Sequence, residues 1–143
     1  ASFLKENFLP LEESGQLKFI ELPDVEDADT KLVETKFSPN ISLRFVSGHT
    51  EKMMLPQIRY GNKTIVFMAD LLPSIGHIPL PYVMAYDMFP LTTLNEKKIF
   101  LQEAVENDYI LFFEHDPRTE CCTLQQTEKG AREKDKLRLA DIG

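Results

Sequence analysis

Residues that could bind a metal stand at the ends of three separate apolar segments of the sequence. His49, Asp70 and His115 each close a different segment that has the pattern of a strand. Imidazole nitrogen and carboxylate oxygen, without thiolate, form the ligand set of a catalytic zinc or related divalent site that keeps one position open for water. The three residues together therefore predict a metal site.

Each of these residues also has a simpler interpretation when it is taken alone. A histidine at a strand end is more often a polar surface residue than a ligand, so the metal site depends on all three residues lying close together. His77, the remaining histidine, lies in the loop after Asp70. It is equally compatible with a hydrogen bond that stabilises this loop and with a contact to substrate, and both interpretations stay open.

Residues 63–70 are predicted to form the strand around which the sheet is organised. Apolar residues occur on both alternations of this segment, which indicates a strand covered on both faces in a layered domain. Residues 109–113 have the same character. A carboxylate at the end of such a strand lies at the rim where open sheets place their ligands.

The other predicted elements surround these two strands. Helices are predicted at the N terminus, over residues 82–88, and from a capping box at Thr93 to about Asn107. The acidic stretch 24–29 lacks the spacing of a calcium loop, so a solvated loop is predicted there. Further strands are predicted over residues 17–22, 31–37, 41–46, 53–55, 120–127 and 131–139.

Composition and charge exclude several functional classes. The chain has 143 residues, of which 43% are hydrophobic, enough for one domain with its own core. Its net charge of −7 argues against nucleic acid and anionic membranes as partners, because such partners are held by Lys and Arg. There is no apolar segment near the roughly 20 residues that span a bilayer, and the first residues lack a basic region followed by an apolar core. We therefore predict a cytoplasmic protein with a small-molecule substrate, and reduced thiols at Cys121 and Cys122.

Three segments carry a resemblance to a known family. They are residues 47–50 (Ser-Gly-His-Thr), 64–70 (Thr-Ile-Val-Phe-Met-Ala-Asp) and 113–117 (Phe-Glu-His-Asp-Pro). In this order they resemble the C-terminal half of the metallo-β-lactamase superfamily, closest to its lactonase and organophosphate-hydrolase-like branch. The resemblance covers about residues 40–117. It implies an α+β fold, half of an αββα sandwich with a mixed sheet and covering helices, and a metal site at the sheet edge.

The resemblance also implies a role for each residue of the site. His49 corresponds to the third histidine of the first metal site, Asp70 to the carboxylate that bridges both metals, and His115 to the last histidine of the second site. One or two zinc ions are implied, with manganese or iron as alternatives. The implied reaction is attack of a metal-bound hydroxide on an ester, lactone, amide or phosphoester, with Asp70 as the catalytic residue that holds the metals and orients the hydroxide. Candidate pocket residues, which match no ligand of the family, are His77, Tyr86 and Asp87.

The sequence departs from the family in what would be its first half. The His-x-His-x-Asp-His motif of the family is absent, and three histidines cannot supply it. Each metal would then have two ligands from this chain, whereas catalytic zinc usually has three protein ligands. We therefore expect weak or absent metal binding and little activity from this chain alone. Lys52 also stands where the family often has glycine.

We interpret residues 1–143 as a single incomplete domain whose N-terminal half is missing. The sequence opens directly in an amphipathic segment without an initiator Met, which agrees with this interpretation. A sheet without its partner exposes an apolar face, so we expect the chain to pair with the missing half or to self-associate. The alternative function is a non-catalytic binding or assembly domain derived from the same fold.

Overall fold

The computed structural model of the protein describes residues 4–22 and 32–143. Within them, seven strands form one sheet and follow one another in chain order. The helices are α1 (Lys5–Glu13) and α2 (Pro90–Glu106), and short 3₁₀ turns occur at Ile75–His77 and Leu139–Asp141. The strands are β1 (Val33–Ser38), β2 (Ile41–Val46), β3 (Met53–Tyr60), β4 (Lys63–Phe67), β5 (Ile110–Phe112), β6 (Cys121–Thr127) and β7 (Gly130–Leu137).

The connection between β4 and β5 determines how the site is built. These two strands are parallel, whereas all other neighbouring strands are antiparallel. Parallel neighbours cannot be joined by a tight hairpin, so the chain crosses one face of the sheet between them. α2 lies in this crossover, and its residues Phe100 and Ala104 pack with Val66 and Leu111 in the main core. The predicted α+β class with a mixed sheet and a covering helix is confirmed.

The face of the sheet opposite α2 is also apolar. Ile65, Ile110 and Ile142 pack together there. Ile58 pairs with Ile65 across β3 and β4, so it points to the same face, and so does Met54, four residues earlier. Yet Met54 and Ile58 remain 46% and 37% exposed. This face is therefore only partly covered by the described residues.

Two predicted elements are wrong. Residues 17–22 have no regular secondary structure, since no strand among the described residues pairs with them, and Phe19 is 80% exposed. Residues 82–88 form turns instead of a helix. The reason is local: the amide of Asp87 donates to the carbonyl of Met84, and the amide of Met84 donates to Asp87 Oδ2, each at 3.2 Å. These bonds close a turn at the position where helical bonds would otherwise form.

The remaining predicted elements are two helices and one loop. α2 begins at Pro90 rather than at Thr93, because a proline in the first turn sacrifices no helical hydrogen bond. The predicted N-terminal helix is present as α1, which has no buried residue. The predicted acidic loop 24–29 lies outside the described residues. Among the described helices, none has the length and hydropathy needed to cross a bilayer.

Candidate metal centre

His49 lies in the loop after β2, against the first turn of α2. A Cβ atom at Gly48 would lie 2.2 Å from Oγ1 of Thr93 and 2.3 Å from its backbone nitrogen, so only glycine permits this approach. The carboxylate of Glu96 accepts hydrogen bonds from the amides of Ser47 at 2.6 Å and Gly48 at 3.0 Å. Burial raises the pKa of Glu96, and these two amides oppose the rise. α2 therefore holds the backbone that presents His49.

The turn after His49 ends at Lys52, where the family pattern often has glycine. Lys52 has a φ of 60°, in the left-handed region that glycine adopts most readily. Its amide donates a hydrogen bond to Oγ of Ser47 at 3.2 Å. Lys52 therefore adopts the left-handed backbone conformation that a glycine would adopt more readily at this position.

Asp70 follows β4 by three residues, although the central strand was expected to reach it. The strand ends at Phe67 because the chain turns at Ala69, which has a φ of 41°. The amide of Leu71 donates to the carbonyl of Met68 at 3.1 Å and closes this turn. The side chain of Asp70 is 26% exposed, so it can contact solvent or a ligand at the rim of the sheet.

His115 follows β5 and is tied to the loop that follows Asp70. Its amide donates to the carbonyl of Pro73 at 3.2 Å. The next residue, Asp116, accepts a hydrogen bond from the amide of Ile75 at 3.1 Å and two more from its own loop. Burial alone would raise the pKa of Asp116, but these amides outweigh it and lower the pKa below its ordinary value. Asp116 thus joins the His115 loop to the Asp70 loop, a role that the sequence did not predict.

The three candidate ligands meet around the carboxylate of Asp70. Nε2 of His49 lies 3.4 Å from Oδ2 of Asp70, and Nε2 of His115 lies 3.3 Å from Oδ1. Two ligand atoms bound at tetrahedral angles to one zinc ion, each at about 2.0–2.1 Å, would be about 3.3–3.4 Å apart. Each histidine and its facing carboxylate oxygen therefore have the separation of two ligands of one metal ion.

Asp87 supports His49 from the other side of the imidazole ring. Its Oδ1 lies 3.0 Å from Nδ1 of His49, and its side chain is fully buried. Because a carboxylate can only accept a hydrogen bond, we assign the proton of His49 to Nδ1. Nε2 then presents its lone pair to Asp70, which is the arrangement of a metal-binding histidine held by an outer carboxylate. Asp87 was predicted only as a pocket residue, because nothing in the sequence relates it to His49, 38 positions away.

Among the described residues, the other two candidate pocket residues form no hydrogen bond with this cluster. Nδ1 of His77 is 2.9 Å from Oγ of Ser74, so His77 contacts its own loop. Burial lowers the pKa of His77, and the charge of Lys97 lowers it further. Tyr86 is 77% exposed. Within the described part of the chain, neither residue forms a hydrogen bond with His49, Asp70 or His115.

The available donors form two incomplete metal sites, which we call half-sites: His49 with Asp70, and His115 with Asp70. Among residues 4–22 and 32–143, there is no group of three or more His, Cys, Asp and Glu side chains arranged to hold a metal ion. Each half-site offers one imidazole nitrogen and one carboxylate oxygen, and a catalytic zinc ion usually has one protein ligand more. The two cysteines take no part, since Cys121 and Cys122 are free and buried in β6.

Comparisons with known proteins agree with the fold. No protein-family model matches the sequence, and no curated protein matches it. A probable metal-dependent hydrolase from Staphylococcus aureus matches in structure at 21% identity and a TM-score of 0.62, over 73% of this chain and 39% of that one. AidC, a dizinc quorum-quenching lactonase in complex with the product N-hexnoyl-L-homoserine, matches at 19% identity and a TM-score of 0.70, over 94% and 42% of the two chains.

A third match is the hydrolase AbOPH of the beta lactamase superfamily, with 15% identity and a TM-score of 0.73, over 96% of this chain and 44% of that one. This chain therefore spans about two fifths of the length of each of the three structures. Because the sequence identities are low, these matches establish the fold alone. The protein has the fold of metallo-β-lactamase-like hydrolases, as its sequence resemblance predicted.

Proposed function

We propose that this protein is the C-terminal part of a metal-dependent hydrolase, in which His49, Asp70 and His115 bind metal. The observation that carries the proposal is the carboxylate of Asp70, whose two oxygens face two different Nε2 atoms at 3.4 and 3.3 Å. Bound zinc, or manganese or iron in its place, would lower the pKa of a water and polarise the carbonyl or phosphoryl group of an ester, lactone, amide or phosphoester.

The residues of this chain would hold and orient the centre. Asp70 would contribute one oxygen to each of two ions, and Asp87 would keep the proton of His49 on Nδ1 so that Nε2 remains a ligand. The side chain of His115 is 53% exposed, so a substrate would reach it from solvent. The net charge of −7 favours a small molecule over nucleic acid as that substrate.

A second polypeptide segment would complete the centre. Each half-site has two ligands in this chain, and the sheet face opposite α2 leaves Met54 and Ile58 exposed. The missing N-terminal half of the same enzyme would cover this face and supply the remaining ligands. The same exposed face favours the second candidate function, in which the chain is a non-catalytic assembly domain that associates with a second copy of itself.

Zinc binding tests the first proposal. We expect the chain to bind zinc weakly, measured by competition with a chromophoric chelator, and the Asp70→Asn variant to lose this binding. Asp135→Asn is the matched control, since that carboxylate is 61% exposed on β7 and should not affect zinc affinity. Equal zinc affinity of wild type and Asp70→Asn would overturn the assignment.

Size and reconstitution separate the two candidate functions. We expect the chain to sediment as an oligomer, and a compact monomer would contradict the inferred pairing of its exposed face. A hydrolase should gain esterase, lactonase or phosphoesterase turnover when it is produced together with its N-terminal half, and should lose it again with Asp70→Asn. An assembly domain should keep its oligomeric state in His49→Ala and show no turnover in either form.

A further inference from the structure

The buried ammonium group of Lys97 lies under the loop that leads from Asp70 to Asp87. Its Nζ donates hydrogen bonds to the backbone carbonyls of four residues, and its side chain has no exposed surface. These acceptors are His77 at 2.6 Å, Pro79 at 3.0 Å, Leu80 at 3.2 Å and Tyr82 at 2.7 Å. One side chain of α2 thus fixes residues 77–82 by their backbone.

A lysine in this position is costly for the fold. Moving an ammonium group out of water is unfavourable unless its hydrogen bonds are replaced, and Nζ has only three donors to share among four carbonyls. Burial lowers the pKa of Lys97 to about 8, while the nearby charge of Asp87 opposes that shift. A buried apolar side chain often stabilises a core as well as a buried charge does. A gain in stability therefore does not explain Lys97, and we look for its role in the loop 77–82 that its four hydrogen bonds fix.

The loop held by Lys97 contacts His49 at its far end. Beyond residues 77–82 the chain reaches Asp87, whose carboxylate lies 3.0 Å from Nδ1 of His49. The following amide, that of Met88, donates to the carbonyl of His49 at 3.2 Å. The loop is thus anchored by Lys97 at its start and by the backbone of His49 at its end, with Asp87 next to the second anchor.

We propose that Lys97 is a positioning residue for His49. By fixing residues 77–82, its ammonium group places the Asp87 carboxylate against Nδ1 of His49 and so directs Nε2 towards Asp70. This inference rests on the proposed function only for what Nε2 binds. The contact between His49 and Asp87 exists without metal and can be measured without it.

The test compares Lys97→Met with Lys98→Met in the metal-free protein. Methionine has a similar length but no donor, and Lys98 is the exposed neighbour of Lys97 on α2. Proton–nitrogen NMR of histidine side chains, recorded near neutral pH, reports which ring nitrogen carries the proton. We expect His49 to be protonated on Nδ1 in wild type and Lys98→Met, and to become a mixture of both tautomers in Lys97→Met. Zinc affinity should fall roughly tenfold in Lys97→Met only.

Chemical rescue makes the test independent of how well Lys97→Met folds. Lys97→Ala leaves room for the missing atoms, so n-propylammonium should restore the Nδ1 proton of His49 in a saturable way, whereas uncharged 1-propanol should not. An unchanged tautomer in Lys97→Met, or equal rescue by both compounds, would overturn the inference. Unfolding of both variants in all conditions would also overturn it, because Lys97 would then support the whole fold. Absence of zinc binding both in this chain alone and in the chain produced together with its N-terminal half would instead reject the proposed function and leave the tautomer result intact.

Discussion

The carboxylates of Glu103 and Asp70 each face two side-chain nitrogen atoms, but the contacts differ between the two. Glu103 on α2 accepts hydrogen bonds from Nη1 and Nη2 of Arg44 at 2.6 and 2.5 Å, and a third from the hydroxyl of Tyr109 at 2.9 Å. Asp70 faces the Nε2 atoms of His49 and His115 at 3.4 and 3.3 Å. In the Glu103 cluster, direct hydrogen bonds join the carboxylate to its partners, and we call this the closed cluster. In the Asp70 cluster, which we call the open cluster, each nitrogen and its facing oxygen are separated by the distance expected of two ligands of one metal ion.

The protonation of the partner explains this difference. Arg44 always carries its protons, so its guanidinium group binds Glu103 through two parallel hydrogen bonds and both groups are satisfied. His49 has its proton on Nδ1, held by Asp87, so it offers Asp70 a lone pair. A cation between two such atoms would be favourable, and the proposed metal would supply it. The Glu103 cluster therefore stabilises the fold, whereas the Asp70 cluster is the one proposed to bind metal.

Breaking the closed cluster should have the largest effect on stability. Glu103→Ala leaves the guanidinium of Arg44, at 4% exposure, without its main partner, so we expect the free energy of unfolding to fall by about 3 kcal/mol. Urea unfolding measures the loss, and zinc affinity should stay at the wild-type level. Glu34→Ala is the control, because this exposed partner of Arg44, at 3.3 Å, should contribute only about 0.5 kcal/mol. A large loss of zinc affinity in Glu103→Ala would show that the two clusters are not independent.

Gly48→Ala should disturb the open cluster through the backbone. The new Cβ would collide with backbone atoms of Thr93, which must shift, so we expect a loss of about 2 kcal/mol in urea unfolding together with weaker zinc binding. Gly76→Ala is the matched control, since its Cβ would make only an ordinary contact with Ser74 at 3.5 Å. Equal stability of the two variants would contradict the close approach of α2 to the His49 loop.

Asp87→Asn should weaken zinc binding with little change in stability. Loss of a carboxylate that orients a metal-binding histidine typically costs about 10–100-fold in metal affinity, and we expect a value near the lower end, about 1.4 kcal/mol. Asparagine keeps an oxygen that can accept the hydrogen bond from the amide of Met84, so the turn should persist. Zinc competition measures the effect. Unchanged affinity would mean that the ring of His49 is oriented by other contacts.

The smallest expected effect is the acid dependence of stability that Glu103 contributes. Burial would raise the pKa of Glu103, but hydrogen bonds and charge from Arg44, together with Tyr109, lower it below its ordinary value of 4.5. Because the folded-state pKa is the lower one, this group contributes stability above that ordinary value and loses it as pH falls through the lowered pKa. Urea unfolding at a series of acidic pH values should therefore show a steeper decline in wild type than in Glu103→Gln. Equal slopes would place the acid-sensitive group elsewhere.

Local patterns predicted much of the sheet and part of the site. The alternation of β2, the turn at Gly61 and the apolar run of β4 depend on near neighbours. β2 has the predicted bounds, and β4 begins at Lys63 as predicted but ends at Phe67, three residues before Asp70. The predicted strand over 17–22 is wrong because strand formation also needs a partner, which no local pattern supplies. The segment 82–88 is wrong for a similar reason, since the buried carboxylate of Asp87 binds the amide of Met84 and closes a turn.

The amino-acid sequence predicted the fold class through its resemblance to a known family. It predicted the residue types of the candidate site because His49, Asp70 and His115 follow short apolar segments whose pattern is local. How these residues are held became visible in the tertiary structure alone. Asp87 meets His49, and Lys97 meets residues 77–82, because the crossover through α2 brings distant loops together. Buried polar groups must find partners wherever the fold places them, and those partners lie far away in the chain.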